Sequence, residues 1–502
     1  MSKVKFNIIA NYFGSVWQMA MSLFFVPLYI KFLGIESYGI IGFFASLQAA
    51  LFLLDMGLST TFSREIARLA PTRSSDSAIR NSLATFSRAY WAIAIIAGAL
   101  FIALSPIFSG HWLKAEHTSV SAIRNATILM GLSIIVRWPG TIYLGGMNGL
   151  QKQVITNIVT IIMSTIRGGG VVLLLWLVSP TLQAFFLWQI GCNLAQTIMY
   201  AIALQVELRD VPGKGRFDWS ILKQTWKFST GMLGINILAT LLTQTDKILL
   251  SKLVPLEQFG YYTLAGSVAG MLYALIGPIN SALFPRFTEL VALRDETSLS
   301  SVFHLSCQIV SIVVFPLWAI LVFFPKELLF VWTNNHIIAK SAGPVLAIVA
   351  TGNMLNIMMH MPYNILLAFG NTKLTVISNS ISVALLVPLI FILVHFFGIK
   401  GGASSWVILN SGYVLVTANF IYRKYLKNEK WRWYLNDMLR FAIPCLLLVL
   451  IMKYCSQFIP ESRLFIFGML SITMVACAVV MFAVMPRFAR GQIFSTISRI
   501  TA

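Results

Sequence analysis

The sequence predicts an all-α polytopic membrane protein of about 14 transmembrane helices, with two pseudo-symmetric six-helix lobes and two extra C-terminal helices. Three observations lead to this prediction. The composition is too apolar for a soluble protein of this size, apolar runs of helix-spanning length follow one another to the C-terminus, and a nine-residue pattern occurs twice.

Composition excludes several classes of protein. Of the 502 residues, 58% are hydrophobic and only 11% are charged, and the mean hydropathy is +0.80. So few charges could not cover the surface of a soluble domain. The net charge of +20 would suit nucleic acid, but the basic residues lie at the ends of apolar runs, so we expect no nucleic-acid partner. The five cysteines show no CxxC spacing and predict no metal site.

Apolar periodicity places the spans. The first is too long for a signal peptide and lacks a small-x-small cleavage site, so it is interpreted as an uncleaved helix. The predicted limits are 7–30, 39–61, 82–108, 122–147, 154–178, 182–206, 228–251, 259–285, 301–325, 341–369, 374–397, 402–422, 438–455 and 464–485.

Basic residues orient the predicted helices. With the N-terminus in the cytoplasm, 25 Lys and Arg residues face inward and 9 face outward. This asymmetry follows the positive-inside rule. Because the number of predicted spans is even, both termini are expected in the cytoplasm.

A repeated segment divides the chain. Residues 31–39 (KFLGIESYG) and 252–260 (KLVPLEQFG) share a Lys, a turn-former, a Glu and a terminal Gly in register, 221 residues apart. An internal repeat of this length predicts two similar bundles. The predicted domains are an N-terminal lobe at 1–206, a cytoplasmic linker at 207–226, a C-terminal lobe at 227–422, and a basic inner loop with two extra helices at 423–502.

Two arginines lie deep inside predicted spans. Arg137 is roughly 15 Å and Arg167 roughly 20 Å from the cytoplasmic ends of adjacent antiparallel helices. A cation at such depth costs at least ~2.5–3.5 kcal/mol on insertion scales, so it should face a cavity or a partner. Guanidinium groups match phosphate oxygens, so Arg137 and Arg167 are the candidate site for an anionic ligand. The alternative is that each only pairs with helix carbonyls or with Asp55.

Two carboxylates also lie inside predicted spans. Asp55 is on the second span and Asp246 is on the seventh, beside Lys247. Each carboxylate could carry a proton or balance a cavity cation, with Lys247 as a further charge at the same level. Packing pairs within or between helices are the alternative. Adjacent residues point about 100° apart on a helix, so Asp246 and Lys247 are not expected to pair with each other.

No catalytic motif is present, so an enzyme is not expected. The sequence contains no P-loop, GxSxG, HExxH or DxD pattern, and the six histidines are scattered. No outer loop is long enough to form a domain. No catalytic residue, cofactor or metal ligand is therefore predicted.

Several segments, taken in order, resemble the bacterial oligosaccharide-lipid flippases, the Wzx-type polysaccharide exporters related to the MATE drug exporters in the MOP superfamily. The resemblance spans nearly the whole chain and includes the first repeat copy with Pro27-Leu28 before it. Its other segments are Asn11-Tyr12-Phe13-Gly14, Leu54-Asp55-Met56-Gly57-Leu58, Thr245-Asp246-Lys247-Ile248-Leu249-Leu250, Phe259-Gly260-Tyr261-Tyr262 and Ala282-Leu283-Phe284-Pro285-Arg286.

This resemblance implies a MATE-like bundle with a cation-lined cavity, in a bacterial inner membrane. Members move undecaprenyl-pyrophosphate-linked oligosaccharide units between leaflets by alternating access, for O-antigen, capsule or related glycans. Arg137 and Arg167 would meet the pyrophosphate and any acidic sugars. The expected partners are that glycolipid, the bilayer and other polysaccharide-assembly membrane proteins. A MATE-type drug or cation antiporter and a membrane polysaccharide polymerase are the alternatives.

Overall fold

The computed structural model describes residues 3–51, 55, 57–69, 76–213, 215–458 and 460–486. Leu54 and Met56 of the resemblance, Lys214 of the predicted linker, and residues 487–502 of the predicted last domain lie outside this range. Every regular element of the described residues is a helix. The chain passes from one compact unit, Met1–Gly260, to a second, Tyr261–Ala502.

The described residues of the first unit form ten helices, a π-helix at Phe108–Trp112 and the start of an eleventh helix. In chain order they are α1 (Lys3–Phe24), α2 (Val26–Leu51), α3 (Leu58–Leu69), α4 (Asp76–Ala103), α5 (Ser105–Ile107), α6 (Val120–Arg137), α7 (Pro139–Gly149), α8 (Gln153–Leu177), α9 (Leu182–Glu207) and α10 (Trp219–Leu253). Helix α9 contacts α6, α7 and α8, and α10 packs against α2, α3 and α4.

The second unit contains the remaining helices, and α11 crosses from the first unit into it. They are α11 (Leu256–Ala269), α12 (Met271–Leu293), α13 (Glu296–Phe323), α14 (Pro325–Thr333), α15 (His336–Met358), α16 (His360–Ala368), α17 (Thr372–Gly412), α18 (Ala418–Lys424), α19 (Lys430–Arg432), α20 (Arg440–Cys455) and α21 (Arg463–Val484). Its described residues also include two π-helices, Tyr413–Thr417 and Trp433–Leu439, and a short 3₁₀ turn, Ser456–Phe458. Helix α13 contacts α15, α20 and α21.

These helices confirm the predicted all-α membrane fold. Ten helical stretches among the described residues are long and apolar enough to cross a bilayer. One of them, Thr372–Lys424, covers two predicted spans, and Gly398 inside it has φ 56°, as a turn between two helices requires. Helices α1, α9 and α10 overlap predicted spans but are not among these ten apolar stretches. Their polar residues lower their mean hydropathy. The number fourteen stays a prediction.

The predicted lobes and the compact units describe different divisions of the chain. The predicted linker, 207–226, does not coincide with the change of unit at Gly260. Helix α10 belongs to the first unit because its contacts are with α2, α3 and α4. The lobes at 1–206 and 227–422 therefore stay a prediction about the repeat.

The segment before α10 is anchored to α4. Arg80 donates from Nη1 to Gln205 Oε1 (2.7 Å) and from Nη2 to the Leu208 carbonyl (2.6 Å). The backbone N–H of Asp218 donates to Thr85 Oγ1 (2.9 Å). Although its Pro and Gly content is typical of a flexible linker, this connection is fixed at both ends by named contacts.

The chain changes direction in both copies of the repeat, but a different residue makes the turn in each. Gly34 divides α2 into two helices. Its backbone has φ 81° and ψ 164°, a conformation that residues with a side chain rarely adopt. At the equivalent place in the second copy, Val254 is extended (φ −111°, ψ 160°) and Pro255 directly precedes α11. Both arrangements end one helix and begin the next.

The two copies also touch each other. A Cβ added to Gly39 would lie 2.6 Å from the Leu256 carbonyl oxygen, and one added to Gly260 would lie 2.3 Å from the Ile35 carbonyl oxygen. Real Cβ atoms essentially never approach so closely. Glycine at both positions therefore lets the backbones of α2 and α11 come into direct contact.

Candidate functional site

Arg137 lies at a break in a membrane-spanning helix. Helix α6 ends at Arg137, and α7 begins at Pro139, which has no backbone N–H to continue the helical ladder. The guanidinium group reaches α2, where Nη1 donates to Gln48 Oε1 (2.5 Å). The break leaves the arginine side chain at the junction of three helices.

A cavity of about 390 Å³ opens at this junction. It lies between α2, α6 and α7 and is lined by Ala45, Gln48, Ala49, Leu51, Ile134, Arg137, Trp138 and Thr141. Gln48 accepts from Arg137, but its own Nε2 group is buried and has no hydrogen-bond partner among the described residues. The cavity therefore offers the cation of Arg137 to an anionic ligand, while the Gln48 amide group beside it is buried and lacks a partner for its N–H groups.

Arg167 is held by amide side chains on the next helix. From the middle of α8, its Nη2 donates to Asn193 Oδ1 (3.0 Å) and to Gln196 Oε1 (2.6 Å), both on α9. Its Nε is buried and without a hydrogen-bond partner in the described part of the chain. An unsatisfied buried donor is costly, so an acceptor arriving at Nε would be favoured.

A short hydrogen-bond chain connects the surroundings of the two arginines. Asn193, which accepts from Arg167, donates to Ser133 Oγ (2.8 Å). Ser133 lies one helical turn before Arg137 on α6. The structure thus brings the two predicted arginines together, and α9, which contacts both α6 and α8, bridges them.

Asp55 is satisfied by hydroxyl groups. Its buried carboxylate accepts from Ser59 Oγ (2.8 Å) and from the hydroxyl of Tyr90 on α4. The two arginines instead donate to amide oxygens. The local contacts of Asp55 therefore correspond to a packing role, which was the alternative given by the sequence.

Asp246 and Lys247 lie on α10. The Asp246 side chain is buried. Lys247 turns back along its own helix, where Nζ lies 3.3 Å from the Thr243 carbonyl oxygen and 3.5 Å from Gln244 Oε1. These contacts leave a role of either residue in ion coupling or charge balance a prediction.

In the second unit, asparagines join helices. Tyr273 donates to Asn356 Oδ1 (3.1 Å), and Asn356 Nδ2 donates to Asn410 Oδ1 (2.7 Å). Asn353 accepts from Trp406 Nε1 (2.9 Å). These contacts connect α12, α15 and α17, as polar residues between membrane helices often do.

One buried acidic cluster was missed by the sequence reasoning. Asp437 was placed in a basic inner loop, whereas the structure buries it completely, against His304 Nδ1 of α13. Gln308 Nε2 donates to Asp437 Oδ1 (2.9 Å), and His304 Nε2 lies 2.9 Å from Glu429 Oε2. The only signal in the sequence was an acid among apolar residues just before the thirteenth predicted span. The cluster fastens the segment before α20 to α13.

Comparison with known proteins identifies relatives of this chain. The family model described as "Polysaccharide biosynthesis protein" matches residues 4–291, and the model "MatE" matches residues 232–392. A Shigella flexneri protein named "Putative O-antigen transporter" is 21% identical over 409 residues, which are 81% of this chain and 95% of that protein. The sequence resemblance to polysaccharide exporters is thereby confirmed.

Solved structures show the same fold. The lipid II flippase MurJ, in an inward closed conformation, aligns with a TM-score of 0.67 at 14% identity over 97% of this chain and 99% of its own. An inward-facing multidrug resistance MATE family transporter of the MOP superfamily aligns with a TM-score of 0.66 at 14% identity, over 82% and 94% of the two chains. The predicted MATE-like fold is therefore confirmed.

Proposed function

This chain belongs to the polysaccharide biosynthesis protein family, and from that premise we propose that it is a flippase for lipid-linked oligosaccharides. Its substrate would be an undecaprenyl-pyrophosphate-linked repeat unit of an O-antigen or capsular polysaccharide. The chain would carry the unit across the bacterial inner membrane by alternating access, with both termini in the cytoplasm. The multi-pass helical fold and the basic inner segments support this location.

The observation that carries the proposal is the pair of arginines beside a cavity. Arg137 lines the 390 Å³ cavity, and Arg167 is linked through Asn193 to Ser133, one helical turn before Arg137. A pyrophosphate beside the two cations would offset the repulsion that like charges have in a low-dielectric environment. It would also supply acceptors for the spare donors of Gln48 and Arg167. Charge-assisted hydrogen bonds of this kind are about twice as strong as neutral ones.

The charge of the cavity also separates this proposal from a cation antiporter. A cationic substrate would require an acid that faces the cavity. The lining of the cavity contains Arg137 and no carboxylate among the described residues, while Asp55 is buried against Ser59 and Tyr90. Asp246, buried in α10 beside Lys247, is the acid that we assign to ion coupling.

The function is tested by locating the glycolipid in a strain that lacks this gene. Labelled undecaprenyl-pyrophosphate oligosaccharide should accumulate in the cytoplasmic leaflet, and the wild-type gene should restore export. Single units that already reach the outer leaflet but remain unpolymerised would contradict a flippase and indicate a polymerase.

Two variants test the arginine site in the same strain. Arg137→Ala and Arg167→Ala should abolish export at a normal protein level, whereas Arg124→Ala, an exposed arginine on the same helix as Arg137, should export normally. Normal surface polysaccharide in both variants would overturn the pyrophosphate site.

A further inference from the structure

Three potential metal ligands converge beside the contact between the repeat copies. Glu116, His117 and Glu257 each offer one ligand atom, and these atoms all lie within 4.8 Å of one another. Two residues come from the segment before α6, and the third comes from the first turn of α11. We propose that these residues form a divalent-cation site that fastens the two repeat copies together.

The donor set suits a transition metal. One imidazole nitrogen and two carboxylate oxygens resemble the three protein ligands of open zinc sites, which keep a further position for water. A site for Ca²⁺ or Mg²⁺ would be built of oxygen ligands alone. Metal–ligand distances are about 2.0–2.2 Å, so the side chains need to draw in by about an ångström. Glu116 and His117 are exposed at the surface and can make this adjustment.

The backbone that carries two of the ligands is already held in place. The carboxylate of Glu36 is buried and accepts the backbone N–H groups of Glu116 (2.9 Å), His117 (3.0 Å) and Thr118 (3.4 Å). Ligands on a fixed backbone lose less conformational freedom when a metal binds. Glu36 therefore acts as a positioning residue for the site.

The third ligand is fixed relative to the same segment. The backbone N–H of Leu256, next to Glu257, donates to the carbonyl oxygen of Lys114 (2.8 Å). Lys114 Nζ itself lies 3.3 Å from the Leu253 carbonyl oxygen. Glu257 also shares a cavity of about 490 Å³ with Glu36 and His117, which gives a hydrated cation a route to the ligands.

The proposed site uses equivalent residues of the two repeat copies in different ways. Glu36 and Glu257 occupy equivalent positions in the two copies. Glu36 holds the segment 116–118 through backbone N–H groups, and Glu257 would hold it through a shared metal ion. Because Gly39 and Gly260 make the neighbouring contact, a bound cation would stabilise the state in which the copies touch. The inference does not depend on which molecule is transported.

Zn²⁺ is the probe for the test. The full chain is purified without a polyhistidine tag, reconstituted in lipid nanodiscs, and titrated with Zn²⁺ against a fluorescent chelator. Cys455→Ser is the background, because the exposed thiol of Cys455 could bind zinc by itself. One equivalent should bind, and His117→Gln and Glu257→Gln should each weaken binding at least tenfold. His111→Gln, an exposed histidine outside the cluster, should not change it.

Hydrogen exchange measures whether the cation fastens the copies. Zn²⁺ should slow exchange in peptides covering 112–120 and 252–260 in the background protein but not in His117→Gln. Binding that is unchanged in both ligand variants, or exchange that Zn²⁺ does not slow, would overturn the proposal.

Discussion

Gly39 and Gly260 contact each other's repeat copy reciprocally. Gly39 lies against the carbonyl oxygen of Leu256, and Gly260 lies against that of Ile35, with Ile35 and Leu256 themselves at equivalent positions. Such a pair of matching contacts is what a local two-fold axis between α2 and α11 produces. The repeat seen in the sequence is therefore also a symmetric contact in space.

We expect Gly39→Ala and Gly260→Ala to loosen this contact. The added methyl groups would lie 2.6 and 2.3 Å from backbone oxygens, so the helices must separate, at a cost of about 1–3 kcal/mol. Hydrogen exchange in residues 252–260 should become faster. Gly266→Ala in α11 is the matched control, since its Cβ would meet nothing within 4 Å. Exchange equal to that of the control would contradict the close contact.

Arg137→Lys should impair export although it keeps the positive charge. A lysine cannot bind Gln48 and a phosphate with the two edges of a planar fork. The loss of one charge-assisted hydrogen bond, about 1.5–3 kcal/mol, corresponds to roughly 10–100-fold weaker substrate binding. Export rate at limiting glycolipid measures this loss, and Arg124→Lys on α6 serves as the control. An export rate equal to wild type would show that charge alone suffices.

Tyr90→Phe should destabilise the first unit. It removes the hydroxyl that donates to the buried carboxylate of Asp55 and leaves an acceptor partly unsatisfied, which costs about 1–3 kcal/mol. A lower thermal midpoint in nanodiscs would show the effect. Tyr12→Phe, at an exposed position on α1, is the control. If export fails while the midpoint stays unchanged, Asp55 acts in transport rather than in packing.

His304→Ala should weaken the attachment of the last two helices. It leaves the buried carboxylate of Asp437 without its imidazole partner, and a buried acceptor that loses a hydrogen-bond partner costs about 1–3 kcal/mol. The thermal midpoint should fall, and Asp437→Asn in the same chain should recover part of the loss. His395→Ala, an exposed histidine on α17, should leave the midpoint unchanged. No recovery in the double variant would contradict the buried-charge explanation.

Arg80→Ala should release the connection before α10. Three hydrogen bonds from Arg80, to Gln205 and to the carbonyls of Leu208 and Val211, would be lost. Trypsin should then cut faster at Arg209 and Arg216. Arg88→Ala, an exposed residue two turns further along α4, should keep the wild-type cleavage rate. Equal cleavage of both variants would mean that other contacts hold the segment.

The sequence predicted the helical membrane fold, the two neighbouring arginines and the breaks between helices, because apolar periodicity and repetition encode them. Span-length runs gave the all-helical membrane fold, and the depth of Arg137 and Arg167 in their spans picked out two residues that the fold brings together. The breaks at Gly34 and Gly398 were visible as turn-formers between spans.

Contacts between distant segments were not predictable in the same way. Asp437 looked like part of a solvated basic loop because its partner His304 is 133 residues away. The cluster of Glu116, His117 and Glu257 likewise joins segments about 140 residues apart. The sequence did signal one part of this arrangement, because Glu36 and Glu257 are equivalent in the repeat. The segment that supplies Glu116 and His117 belongs to neither copy and carries no comparable pattern.

The different turns in the two copies imply unequal stiffness. Rotation about the backbone of Gly34 meets little steric resistance, because nothing lies within 4 Å of its missing Cβ. The ring of Pro255 fixes its own φ and restricts Val254 before it. A movement that parts the copies would therefore bend at Gly34 and carry the second copy as a rigid piece. Although the two copies share their pattern and their contact, they would thus part asymmetrically.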